Sequence, residues 1–344
     1  MTAPTPTTAP SPSAPTAAPT PSSSREEYDA ALLRLSEASV RRHFDAFVDV
    51  PWDHPDFRVD RTDERWVLPA DVDPLGAHPW YQALPVETQI EIGLWRQANI
   101  MKVGLQFENI LIRGIMQYIA NLDNGSAEFR YLTHEATEEC HHTQMFQQGV
   151  NIIGADVPGL PRWMRRVSPI IPWFASLTPV GFFIGVLAGE EPIDHTQKQI
   201  LRGADELPPV LSRIMEIHVA EEARHISFAH TYVARHAPRM SRGQIFAVSL
   251  AFPVIMRVLC DAILKPTKEF RDEFDVPREV IDELYWDSPR SREFLSDLFS
   301  DVRMLAEQSG LMNPLARRVW RALKIDGRAS RYRSEPPVSY AAAV

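Results

Sequence analysis

Residues 134–146 read HEATEECHHTQMF, and residues 217–230 read IHVAEEARHISFAH. Each stretch holds a Glu-x-x-His pair, Glu139 with His142 and Glu222 with His225. Three residues apart on a helix, a Glu and a His point the same way and can bind one metal ion together. Two such pairs, plus a single Glu from each of two further helices, form the ligand set of a carboxylate-bridged dimetal centre in a four-helix bundle. One pair alone is weak, because the same spacing is common on solvated helix faces. Two pairs on core-directed faces predict an all-α protein built around such a bundle.

The flanking sequence supplies the two remaining carboxylates. Residues 86–121 predict a long helix in which Leu94, Ala98, Met101, Leu105, Glu108, Ile112, Ile115 and Ile119 share one face. Glu108 is the one charge in that stripe, and burying it without a partner costs several kcal/mol. A turn at 121–126 (NLDNGS) separates this helix from one at 127–150. There Glu139–His142 lies nearer the apolar stripe of Leu132, Ala136, Phe146 and Val150. The alternative pair Glu138–His141 falls on the more polar stripe of Tyr131, His134 and Met145. A buried helix is expected from Pro179 through Glu191 towards Leu201, with Pro192 kinking or interrupting it. Glu190 shares a face with Phe183, Val186 and Ile193, and Glu191 with Ile184, Leu187 and His195, so periodicity leaves the two even. In the helix at 208–236, Leu211, Met215, His218, Glu222, His225, Ala229 and Tyr232 share a face. That face places His218 either as a core histidine or as a seventh ligand.

Other polar residues receive blander readings. His134, His141, His195 and His230 are expected at the surface or in support. Glu138 and Glu221 are expected to face water or partner helices. Asp194 is a candidate to hold a ligand imidazole, with ion pairing along the helix as the alternative.

Composition narrows the class. A net charge of −9 argues against nucleic acid. Two cysteines, Cys140 and Cys260, are too few for a disulfide framework and suggest a reducing, cytoplasmic compartment. Mixed oxygen and nitrogen ligands suit iron, with manganese as the alternative, and the lack of thiolate ligands argues against structural zinc. Residues 1–24 are uncharged and rich in Pro, Thr, Ala and Ser, and are expected to be a disordered tail. Residues 25–327 are expected to form one domain, beginning with a helix at 25–49 and ending with helices at 242–265 and 289–309. Residues 328–344 are expected to be a flexible tail. The uncharged stretch 167–189 is long enough to span a bilayer, but three prolines favour a buried helix with an access loop, or peripheral membrane contact.

The ordered pattern Glu, Glu-x-x-His, Glu, His-x-x-x-Glu-x-x-His resembles the p-aminobenzoate N-oxygenase family of ferritin-like diiron enzymes. The histidine ahead of the last pair, His218 in HVAEEARH, distinguishes that family from the usual diiron pattern. The resemblance implies metal ligands Glu108, Glu139, His142, Glu191, His218, Glu222 and His225, with Glu191 favoured over Glu190 by its distance from His218. It implies a monooxygenase in which two Fe ions bind O2, form a peroxo-diferric intermediate and oxygenate an aromatic amine nitrogen. No flavin, nicotinamide or iron–sulfur motif is visible, so a ferredoxin or reductase would supply electrons. A homodimer is implied by analogy. The family's best-known member holds its substrate carboxylate with an arginine in the C-terminal part. Arg303 is the nearest candidate here, and it reads as a surface helix charge. The alternatives are a diiron hydroxylase or desaturase acting on carbon of an apolar or carrier-bound substrate, and a ferritin-like iron-binding protein without an organic substrate.

Overall fold

Ser24 opens the first helix with a capping box: its hydroxyl accepts from Glu27 N at 3.1 Å, and Glu27 Oε2 accepts from Ser24 N at 2.7 Å. Helix α1 (Arg25–Arg41) is shorter than expected. Asp45 turns the chain by accepting from Phe47 N at 2.8 Å and Val48 N at 3.1 Å, local bonds that compete with helix. The computed structural model describes residues 24–70, 73–203 and 206–333.

Four long helices follow: α2 (Val86–Ile119), α3 (Ala127–Ile153), α4 (Pro179–Gly203) and α5 (Pro209–His236). Helices α2 and α3 pack along each other, as do α4 and α5, while α2 also meets α4 and α3 meets α5. The ring closes as a ferritin-like four-helix bundle. Helix α1 lies across α3 and α5, and α6 (Arg242–Leu264) covers α4. The stretch expected as one helix at 289–309 is two, α7 (Pro289–Leu298) and α8 (Ser300–Gln308), broken at Phe299. Helix α9 (Pro314–Ala322) packs on α6. Among the described residues there is no strand.

Two apolar cores fill the bundle, one at each end. One contains Ile115, Leu132, Phe183 and Phe228, and the other Met101, Phe146, Ile214 and Met215. Every bundle helix passes from one core to the other, and the acidic and histidine residues occur where it crosses between them. The bundle therefore carries a polar layer at mid-height, sealed above and below.

Two expectations change. Helix α4 stays helical through Pro192, whose carbonyl accepts from the Thr196 hydroxyl at 2.7 Å. The stretch 167–189 takes the expected form of a loop ahead of a buried helix, with short turns at Ile171–Trp173 and Phe174–Leu177 before α4 begins. Among the described residues, the helix able to cross a bilayer by length and composition alone is instead the one starting at Arg242, and 39% of its most apolar window is buried. Residues 1–23 and 334–344, most of the two expected tails, lie outside the described residues. Within the second tail, Ser330 is buried and its N–H donates to Ser300 O at 3.0 Å.

Gly93 sits where α2 touches the backbone of the 50–84 loop. A Cβ there would lie 1.8 Å from Trp66 O. Gly93→Ala should destabilise the protein by about 1–3 kcal/mol, read as a lower Tm with unchanged metal content. An unchanged Tm would show that this loop is not seated on α2.

Candidate metal centre

Each helix of the bundle sends its mid-height polar residues inward. Glu108 comes from α2, Glu139 and His142 from α3, Glu190 from α4, and His218, Glu222 and His225 from α5. All seven are buried, with Glu139, His142, Glu222 and His225 at 0% exposure. Their ligand atoms group into overlapping sets within 4.8 Å: Glu108, His142, His218 and Glu222; Glu139, His142, Glu222 and His225; and Glu108, Glu139 and Glu190. His142 Nδ1 lies 3.0 Å from Glu139 Oε2 and 3.4 Å from Glu222 Oε1. His225 Nδ1 lies 2.8 Å from Glu139 Oε1 and 3.2 Å from Glu222 Oε1. His218 Nε2 is 3.5 Å from both Glu108 Oε1 and Glu222 Oε1.

The outward nitrogens are held as well. His142 Nε2 is 2.8 Å from Glu221 Oε2, and His225 Nε2 is 2.8 Å from Glu138 Oε2. His218 Nδ1 is 2.8 Å from Gln197 Oε1. The bracing crosses the bundle: the first Glu of each Glu-Glu doublet holds the histidine of the other pair. Arg224 Nη2 ties the braces together, 2.9 Å from Glu138 Oε1 and 3.4 Å from Glu221 Oε1. Glu221 Oε1 also accepts from Phe44 N at 3.2 Å. Oxygen partners behind each imidazole fix its tautomer and orientation, the usual arrangement behind metal-bound histidines.

The donor set fits metal ions. Among the described residues, Glu108 Oε2, Glu190 Oε1, His218 Nε2 and Glu222 Oε2 are buried without a hydrogen-bond partner. Four unpartnered ligand atoms buried in one cluster would be very costly as an end in themselves. Burial, then the charges of Glu139 and its neighbours, pushes Glu108 well above the usual carboxylate range. Burial and the Glu222 carboxylate do the same to Glu190. Burial also opposes ionisation of Glu139 and Glu222, but His225 beside them overrules it and holds both low, Glu222 at about 2. Burial brings His218 down to about 4, leaving it neutral. Cations would let all four carboxylates ionise, and two divalent ions match their charge.

Six of the seven expected residues meet here. The exception is Glu191, whose carboxylate turns to His230 Nε2, while Glu190 takes the place facing Glu222. Gly189 against Phe107 and Phe183 in the core set the rotation of α4, and one residue's rotation decides between adjacent positions. Of three further expectations, only that for Arg303 is corrected. Glu138 and Glu221 take the second of their two expected settings, facing partner helices as buried braces. Asp194 takes its expected alternative of ion pairing along the helix, with Lys198 Nζ at 2.6 Å. Arg303 is buried, donating to the carbonyls of Ile325, Ser296 and Arg328, away from the centre. Sequence reasoning passed over Glu135, fully buried on α3, with a carboxyl that burial raises to about 8.

A model of the p-aminobenzoate N-oxygenase AurF family matches residues 25–310. The chain belongs to that family. Membership places it among diiron oxygenases, enzymes that use O2 and an electron donor, and the buried cluster is where this family member can hold metal. Uncharacterized proteins of Mycobacterium bovis and of Mycobacterium tuberculosis strain H37Rv are each 60% identical to it over 317 residues, covering 92% of this chain and 93% of theirs.

The orientation of α4 yields a direct test. Glu190→Gln should lower bound iron to one ion per chain or fewer, and Glu191→Gln should retain the wild-type content, both read by metal analysis after anaerobic loading. The reverse order would restore Glu191 as the inward carboxylate.

Proposed function

We propose that the chain is a diiron monooxygenase whose reaction is N-oxygenation of an apolar aromatic amine. The observation that supports this reading most is the seven-residue cluster of Glu108, Glu139, His142, Glu190, His218, Glu222 and His225 in a member of the AurF family. The third histidine is the feature that sets it apart from a simple two-histidine diiron bundle.

In this reading Glu108, Glu139, Glu190 and Glu222 would hold the ions through their carboxylates, Glu139 standing beside two histidines and Glu222 beside three. His142, His218 and His225 would supply the nitrogen ligands. Bound iron would supply reductive O2 activation. The overall balance is one amine, one O2, two electrons and two protons giving one hydroxylamine and one water. A separate ferredoxin or reductase supplies the electrons.

The protein's own residues organise the surroundings. Glu138 and Glu221 keep the protons of His225 and His142 on Nε2, leaving Nδ1 free to bind. Gln197 sets the ring of His218 from the other side. Beside Glu108, Glu190 and His218 lies a void of about 30 Å³, bounded by Met101, Phe107, Phe146 and Met215. It is large enough for a water-sized molecule and is walled by apolar side chains. Those walls keep bulk water from a reactive centre.

Substrate polarity follows from what is missing around the centre. Arg303, the nearest candidate to hold a substrate carboxylate, is occupied by backbone carbonyls. Among the described residues lining this void and the larger cavity near it, none is Arg or Lys. That favours an uncharged substrate over an aromatic acid. The same apolar cavity of about 530 Å³ supports a second reading, oxidation at carbon of an apolar or carrier-bound substrate.

Iron-loaded, reduced protein exposed to O2 with a panel of arylamines and acyl substrates should give hydroxylamine or nitroso products, read by mass spectrometry. Uncharged amines should outperform carboxylated ones. O2 uptake on acyl substrates with no oxidised amine would overturn N-oxygenation in favour of carbon. His218→Ala should keep iron but slow O2 consumption at least about tenfold, and unchanged kinetics would reduce His218 to a core histidine.

A further inference from the structure

One face of the bundle is not explained by the metal centre. Residues 157–189 contain no Asp or Glu, and their only charges are Arg162, Arg165 and Arg166. All three are exposed, and none forms an ion pair among the described residues. In a chain of net charge −9 they make a local cationic patch. Beside them Ile170, Trp173 and Leu177 stand 52, 62 and 75% exposed. Across from them α6 presents Phe246, Val254 and Val258, also exposed, and it has no acid between Arg242 and Cys260.

The 530 Å³ cavity opens at this face. Trp163, Phe174, Val254 and Val258 line it and are exposed, so they form its rim. The Thr178 hydroxyl and the Trp163 indole N–H are the polar side-chain groups among the described lining residues. At the inner end stands Phe107, the one residue that lines both this cavity and the void beside Glu108, Glu190 and His218. Its ring fits only because position 189 is glycine, where a Cβ would lie 1.9 Å from Phe107 Cζ.

We propose that this face docks on an anionic lipid surface, that the cavity behind it passes an apolar, chain-bearing substrate from the lipid to the metal centre, and that the Phe107 ring is the gate between them. The substrate half rests on the oxygenase reading above; the docking half does not. Tryptophan and aliphatic side chains interleaved with arginines are the composition of a surface that lies in a membrane interface. Arginines without acidic partners are drawn to anionic headgroups. A second copy of the chain fits less well. A two-fold contact would bring the same patch together on both subunits, setting arginines near arginines with no acid in the segment to separate them.

The full chain, iron-loaded and metal-free, should co-sediment with vesicles of equal parts phosphatidylglycerol and phosphatidylcholine. It should sediment far less with phosphatidylcholine alone, and salt should release it. Changing Arg162, Arg165 and Arg166 together to Gln should weaken binding about a hundredfold, roughly fivefold for each charge. Trp173→Asp with Leu177→Asp should also release the protein. Equal binding to both vesicle types, or none at low salt, would overturn docking. So would a stable dimer that Trp173→Asp with Leu177→Asp converts to monomer. Gly185 borders the cavity, and a Cβ there meets nothing within 4 Å. Gly185→Leu should therefore fill the path, cutting turnover of long apolar substrates at least tenfold while iron content and vesicle binding persist. Unchanged turnover would overturn the cavity as the route. Loss of iron stoichiometry in the wild type with vesicle binding intact would remove the oxygenase reading and leave docking standing.

Discussion

Four carboxylates cannot share the interior of a helical bundle as anions unless cations stand among them. Glu108, Glu139, Glu190 and Glu222 are all buried, and Glu108, Glu190 and Glu222 each keep an oxygen without a hydrogen-bond partner. Each uncompensated buried charge costs several kcal/mol. The chain accepts that cost at one level of the bundle and surrounds the level with two apolar cores. Helix length, the turn at 121–126 and the rotation of α4 all serve to bring four separate segments to the same height.

The crossed braces explain why the cluster keeps its shape. Glu138 and Glu221 each sit one residue before a central Glu, yet each holds the histidine on the opposite helix. Arg224 Nη2 reaches both. An inward carboxylate and an outward brace thus come from one Glu-Glu doublet, repeated on α3 and α5. Because the braces lie on rigid helices, the imidazoles are positioned before any ligand arrives. Phe44, from the turn that cuts α1 short, adds a backbone donor to Glu221. The early end of α1 is therefore connected to the centre.

Much of this was legible in the sequence, and the failures have physical causes. The spacing of Glu139–His142 and Glu222–His225 gave the bundle, and the apolar stripe of α2 marked Glu108. Glu190 and Glu191 could not be separated, since both flank an apolar face and neighbouring helices set the rotation. For Glu138 and Glu221 water and partner helices both stayed open, because a charge beside an inward residue is usually solvated. The signal available was the repeated doublet itself, Glu-Glu-x-x-His in both segments. Arg303 lies on a short helix whose cover comes from residues far along the chain, a packing that periodicity does not encode. In the stretch 167–189, Pro169, Pro172 and Pro179 pointed to an access loop ahead of a helix starting at Pro179, and short turns followed by that helix are what form.

The central claim is that the cluster holds two ions, with Glu190 inward and Glu191 outward. A crystal structure of iron-loaded protein, with anomalous data collected at the iron edge, tests it most directly. The account predicts two peaks about 3.5–4 Å apart, flanked by Glu139 and Glu222, with Glu190 in contact and Glu191 on His230. A single peak, no peak, or iron bound by Glu191 would contradict it.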